Sequence, residues 1–244
     1  MGQAAGKAPG MTAEMADEVE GGAATLSEQA YRLMRRDIVD GLLAPNQPLR
    51  FEFLKDRYGF SFSPLREALA QLQSERLVVA TAQRGYRVAD VSLDEMWDAI
   101  NTRVLIETQA LREAIVHGDD DWEGAIVSAY HALSRSRARH AGTATDEAAM
   151  EEVERRHRVF HRSLIGACRS RWLLDLSALL YTQTERYRRP LLAKMRADIS
   201  RDREIDDHHK EIMDATLIRD AATATDLLAA HLRRTGNYIE RIQG

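Results

Sequence analysis

Cysteine is nearly absent from this 244-residue chain, with Cys168 its one copy. A single thiol excludes an intrachain disulfide framework and any cysteine-based zinc finger. Cys168 itself reads as a small packing residue on its helix. Proline is sparse: of five prolines only Pro190 lies beyond residue 91, so little in the second half interrupts a helix. No apolar run approaches the roughly 18 residues that a membrane helix needs. Residues 1–25 also lack the apolar core of a secretory signal. Excess basic charge is missing as well: 34 Lys+Arg stand against 38 Asp+Glu, a net charge of −4. Any nucleic-acid surface must therefore be local. With internal repeats also lacking, the chain reads as soluble and cytoplasmic.

What is present is globular composition, 44% hydrophobic and 30% charged, in a length that suits one large domain or two modest ones. Residues 1–25 are Ala/Gly-rich and acidic with no apolar face, which predicts a disordered tail in which Met11 is a candidate alternative start. From Leu26 the pattern becomes helical. Ser27 is placed to cap a helix whose apolar face is Ala30, Leu33, Met34 and Ile38, ending at Gly41. Pro45 and Pro48 mark a connection. A short helix from Phe51 to Tyr58 stops at Gly59. Another follows with Pro64 in its first turn, behind a Ser that can cap, and runs to about Glu75. Two β-branched runs, Leu77–Ala80 and Tyr86–Ala89, flank a tip of Gln83, Arg84 and Gly85 and predict a hairpin. Three helices and a hairpin over 26–90 make a winged helix-turn-helix.

Beyond Val91 the strand signals stop. Helical patterns cover 93–117, 121–140, 147–168, 171–196, 199–218 and 222–241, with a kink or break expected at Pro190. The predicted fold is mainly α: a winged helix-turn-helix over 26–90, then an all-helical bundle of six or seven helices over 93–244.

The second helix of a helix-turn-helix starts in the major groove of DNA, so Ser61, Ser63 and Arg66 are candidates for phosphate or base-edge contacts. Arg84 and Gly85 at the hairpin tip suit a close approach to the backbone or minor groove. Arg35 on the first helix is placed to hold a flanking phosphate. Charge adds little, since 26–90 carries ten Lys+Arg against eight Asp+Glu.

Four of the eight histidines fall at spacings that a metal site requires. His157 and His161 are i and i+4, about 400° of helical turn, so both rings leave one face, which Phe160, Leu164 and Ile165 share or flank. His209 lies ten residues before Arg219, and His231 ten after Ala221. In an antiparallel pair of helices, equal distances from the turn set two rings at one level. Two such pairs can converge on one ion. Each pair also fits a structural reading, an i, i+4 pair at a surface or a solvated His208-His209. Three functions remain open: a regulator whose metal takes part in effector binding, the same regulator with a purely structural metal, and a zinc-dependent hydrolase. Four protein ligands leave little room for an activated water, and Glu154 and Asp206 are carboxylates near the histidines by sequence only.

The runs R-x-x-I-x-x-G-x-L-x-P at Arg35–Pro45, S-P-L-R-E-A-L-x-x-L at Ser63–Leu72, R-L-V and R-G-Y-R-V resemble the GntR family of bacterial transcription regulators. That resemblance implies an operator-binding domain with Arg35, Ser63, Arg66 and Gly85 at DNA. Phe62 departs from it, standing where the family usually has Arg. This implies either weaker affinity or an apolar contact such as a thymine methyl. The pattern F-H-R-x-L with a ligand four residues before its His, H-x-x-I-x-x-A, and a His 22 positions on resembles the FCD domain of the FadR subfamily, as does R-x-x-I-E at Arg103–Glu107. Many FCD domains hold a divalent metal with an Asp and three His. Here His157 stands at the Asp position, so the implied set is His157, His161, His209 and His231, which favours Zn²⁺ or Ni²⁺ over Mg²⁺ or Ca²⁺. A cation with an open coordination position inside a helical bundle suits an anion, so a small carboxylate effector is expected there, held by Arg103, which the resemblance puts near the pocket, with Arg186 and Arg188 as further candidates on their helix; a homodimeric repressor on double-stranded operator DNA is the expected whole. The stretch from Arg156 to Ser170 is also similar to regulators of dicarboxylate and amino-acid catabolism, among them glutarate-responsive repressors.

Overall fold

The computed structural model describes residues 24–81, 85–140, 146–191 and 199–243. The expected tail, but for its last two residues, and most of the hairpin tip, Arg84 included, lie outside them, as does the side chain of Asp206. The first unit opens with α1, Leu26–Val39. Its cap is Thr25 rather than Ser27, because only Thr25 has a Glu three residues on. The Glu28 N–H donates to Thr25 Oγ1 (3.2 Å), and the Thr25 N–H donates to the Glu28 carboxylate (2.7 Å). Ser27 bonds Glu67 instead.

Helix α2 spans Phe51–Tyr58 and stops at Gly59, whose φ of 75° is the left-handed cap that glycine adopts at little cost. Helix α3, Phe62–Ser74, starts one residue before Ser63 with Ser61 at the cap position. This puts Pro64 third in the helix, where an N–H has no intrahelical partner to lose. Strands β2 (Val78–Thr81) and β3 (Gly85–Val88) form the expected hairpin, and a two-residue strand β1, Pro48–Leu49, completes an antiparallel sheet of order β1-β3-β2. In the sequence β1 has only the marks of a connection, since two residues carry no periodicity; Pro48 is tolerated there as the first residue of an edge strand. Ala30, Met34, Ile38, Leu54, Leu65, Leu69, Leu72 and Val88 close the core.

Among the described residues the second unit is built of helices: α4 (Leu93–His117), α5 (Asp120–Arg139), α6 (Glu147–Leu164), α7 (Arg171–Arg188), a 3-10 turn Arg189–Leu191, α8 (Ile199–Leu217) and α9 (Ala221–Gln243). The break expected at Pro190 is that turn. Helix α6 ends at Leu164 rather than 168, capped by Ile165. Helix α4 lies between α7 and α9, α6 packs on α5, and α8 packs on α9 and α5. Leu111, Trp122, Ile126, Leu133, Phe160, Leu164, Ile212 and Leu228 fill the interior. Cys168 is buried against this core, as a packing residue should be. No described helix is long and apolar enough to cross a membrane.

The two units meet where α1 lies against α7. Arg35 donates to Thr182 Oγ1 (2.9 Å) and to Glu185 (3.2 Å). Arg189 pairs with Asp40 at 2.6 Å, and Gln183 donates to the Glu75 carbonyl. Arg186 donates to the carbonyls of Ala89 (2.8 Å) and Asp90, so it grips the segment that joins the units.

Candidate metal centre and DNA-facing surface

Three helices bring four imidazoles together. Helix α6 supplies His157 and His161 from one face, α8 supplies His209, and α9 supplies His231. One ligand atom from each can be chosen so that all four lie within 4.8 Å of one another. The rings of His209 and His231 stand 4.6 Å apart, which is the level register that their equal distances from the α8–α9 turn predict. His157 Nε2 and His161 Nε2 are 3.1 Å apart. Zinc–nitrogen bonds of about 2.0–2.1 Å give a tetrahedron with edges of roughly 3.3 Å, so small shifts of the rings, closing the longer separations and opening the His157–His161 one slightly, accommodate an ion.

All four rings are buried, His209 completely. Burial is the leading cause that depresses every one of their pKa values. Repulsion within the cluster opposes protonation further, since a proton on His157 would face one on His161 and a proton on His161 or His209 one on His231, while Arg103 lowers His231, which falls to about 3. The rings are therefore neutral at pH 7, the state in which imidazole ligates metals. Neither nitrogen of His209, nor Nδ1 of His161, has a hydrogen-bond partner among the described residues. Buried polar atoms left in this way are uncommon. The four histidines form a cluster that could hold a metal ion.

Outside the cluster, Tyr181 of α7 places its hydroxyl 2.9 Å from His157 Nδ1. A ring that ligates through Nε2 keeps its proton on Nδ1 and donates it to the tyrosine oxygen, which fixes the ring's orientation. Phe160, fully buried, sets its edge against His161 and His209 and closes the far side.

A small cavity opens beside the histidines, walled by Arg103, Thr184, Arg188, His157, His161 and His231. Arg103 donates to Glu107 (2.6 Å) and Thr184 (2.9 Å) and stacks 4.7 Å from the centre of the Tyr181 ring. Its place near the pocket and its pairing with Glu107 hold together. Arg188 reaches the same cavity with both guanidinium arms on Glu154. Arg186 does not reach it, since two residues along a helix are 200° apart and α7 turns Arg186 to the linker. Of the two arginines, Arg188 is the one beside the histidines. Tyr181, Thr184 and Arg188 lie at i, i+3 and i+7 on one face of α7, a spacing that could have marked them in the sequence.

One turn beyond Tyr181, at the edge of the same face, α7 carries Glu185, almost wholly buried, which receives Arg35 from α1 and Arg158 from α6. Burial opposes its charge, yet Arg158 and Arg35 hold the carboxyl below its ordinary range. Sequence reasoning missed Glu185, because a lone Glu in an amphipathic helix gives no sign that two arginines from other elements converge on it.

At the start of α3, Ser61, Ser63 and Arg66 are exposed on one surface with Phe62, and Gly85 begins β3 with a φ of 82°. The fold keeps Arg35 away from this group and turns it to the helical unit.

Residues 26–88 match the family model of bacterial regulatory proteins, gntR family, and residues 98–234 match that of the FCD domain. The chain is 39% identical over 218 residues to the uncharacterized HTH-type transcriptional regulator BphR of Paraburkholderia xenovorans (strain LB400), covering 89% of this chain and 86% of that protein. It is 35% identical over 206 residues to the HTH-type transcriptional repressor GlaR of Escherichia coli (strain K12), covering 84% of this chain and 92% of that one. Among solved structures, E. coli McbR/YncC superposes with a TM-score of 0.74 over 91% of this chain and 100% of its own, at 16% identity, a likeness of fold alone.

Proposed function

This chain belongs to the GntR family of bacterial regulatory proteins and carries an FCD domain behind its winged helix, and we propose that it is a repressor controlled by a small organic acid bound at a metal centre. As a member of that family it is a DNA-binding transcriptional regulator and not an enzyme, which disposes of the hydrolase alternative. The direction of control follows the relative that is named a repressor.

The observation that carries the metal reading is His209: completely buried, neutral, with both ring nitrogens unpartnered among the described residues and three imidazoles around it. Each unsatisfied buried nitrogen costs about 1–3 kcal/mol, and an ion at the centre of the cluster would remove part of that cost. A bound Zn²⁺ or Ni²⁺, which imidazole donors favour over Mg²⁺ or Ca²⁺, would supply positive charge and, by taking a fifth ligand beyond the four imidazoles, a position for a carboxylate oxygen. Arg103 and Arg188 stand on the same cavity wall to bind the other end of the acid through their guanidinium forks.

Transmission runs through α7. One face touches the cluster through Tyr181 and the cavity through Thr184 and Arg188, while the adjoining side grips Arg35 through Thr182 and Glu185 and the linker through Arg186. A ligand that moves the first face moves that grip, to the extent that it binds the two arrangements unequally. Two copies related by two-fold symmetry would present their α3 helices to a pseudo-palindromic operator.

The test is the metal content of untagged protein purified without added metal, beside that of His161→Ala. About one equivalent per chain, lost in the variant, is expected. Absence of metal from both after incubation with Zn²⁺ or Ni²⁺ would overturn the centre. A second reading, a purely structural metal with the effector elsewhere, is favoured by one observation: Arg103 and Arg188 are already paired with Glu107 and Glu154. Carboxylate binding that survives metal removal would select it.

A further inference from the structure

The surface at the start of α3 contains a residue that phosphate recognition does not explain. Phe62, first in the helix, is 56% exposed between the exposed Ser61 and Ser63. Its ring lies against Phe51, with centroids 4.3 Å apart, and Phe51 packs in turn on the core of the winged helix. The Arg66 guanidinium sits 5.9 Å from the Phe62 centroid. The ring is thus backed by the core, fixed in place and flanked by Arg66, with its outer side left to solvent.

An aromatic face offers nothing to a phosphate oxygen. It forfeits burial of its own while it stays in water. In the major groove the edges of adenine, guanine and cytosine present hydrogen-bond donors and acceptors, whereas thymine adds a 5-methyl group, the one apolar projection there. We propose that Phe62 is a specificity-determining residue that reads a thymine through its 5-methyl group, and that the Phe62 ring holds Arg66 toward the acceptor edge of a neighbouring guanine. This rests on the DNA-binding reading and goes beyond it, because it names a base and the atom recognised. Arg66 serves the pair in two ways: its charge draws the helix to the groove, and its stacking on Phe62 fixes the distance between the two contacts.

The experiment uses full-length protein and a duplex selected by that protein from a randomised library. Each thymine in turn is replaced by uracil, which lacks only the 5-methyl group, and Kd is measured by fluorescence anisotropy for the wild type, Phe62→Ala and Phe62→Arg. We expect one thymine per half-site whose methyl group is worth about four-fold in wild-type affinity, the transfer value of one buried methyl. Phe62→Ala should bind more weakly overall and show no loss at that position. Phe62→Arg, selected afresh, should exchange that thymine for guanine. Circular dichroism checks that the variants fold, which the exposure of Phe62 favours. Tight selection of a duplex with equal methyl sensitivity in wild type and Phe62→Ala, or with none at any thymine, would overturn the assignment while leaving DNA binding intact. Failure of the wild type to select any duplex would overturn the DNA-binding reading itself.

Discussion

Acidifying the metal-free protein from pH 7.5 to 5.5 should cost the helical domain much of its stability. The perturbation acts on the four buried imidazoles, whose folded pKa values lie below the ordinary one, His231 at about 3. In the unfolded chain each returns to about 6.5. Below that value the unfolded state takes up protons that the folded state cannot accommodate. Stability is therefore complete above about pH 6.5 and is lost as pH falls toward the folded values. Each group contributes up to about 1.4 kcal/mol per pH unit once its unfolded form is fully protonated and about 1 kcal/mol while that form fills, so four contribute roughly 4 kcal/mol in the first unit below 6.5. A domain of ordinary stability has about 5–15 kcal/mol to lose.

Urea denaturation of chelator-treated protein at pH 7.5, 6.5 and 5.5 reads the effect, and His209→Gln should reduce the slope by about a quarter. Glu185 does not confuse the window, since its pKa is lowered and its contribution falls away only in stronger acid. Saturating Zn²⁺ should move the loss to lower pH, because protons and metal compete for the same nitrogens. A change of less than about 1 kcal/mol between pH 7.5 and 5.5 without metal would refute the reasoning, for it would mean that the folded rings take up protons freely.

Two further expectations follow from α7. Tyr181→Phe removes the oxygen 2.9 Å from His157 Nδ1 and should weaken metal binding by about 10–100-fold with little change in fold, measured by competition with a chromophoric chelator. Glu185→Gln leaves Arg35 and Arg158 without their shared carboxylate; since both arginines are partly exposed, the cost should be about 2–3 kcal/mol, below that of a fully buried pair. Arg35 still keeps Thr182 and Glu75 and stays turned from the start of α3, so the dependence of operator affinity on salt should not change.

Local chemistry is what the sequence determined by itself. Helix periods, the glycine stop at Gly59, the break at Pro190 and the two in-register histidine pairs depend on residues within one or two turns of one another or on either side of a single turn, and these appear in the structure at or near their expected places. The motifs carried the family further than composition could, since a net charge of −4 gives no sign of a DNA partner. Tertiary packing decided what local pattern leaves open. Strand β1 exists only because β3 lies beside it, and Arg35 and Arg186 have plausible ligands along the chain but take their partners from residues about 100 or more positions away. Whether two histidine pairs meet, and whether α7 turns Arg188 or Arg186 to them, depends on the rotation of each helix about its axis. A period of 3.6 residues gives each helix a buried face, and only the packing of several such faces decides which neighbour it is buried against.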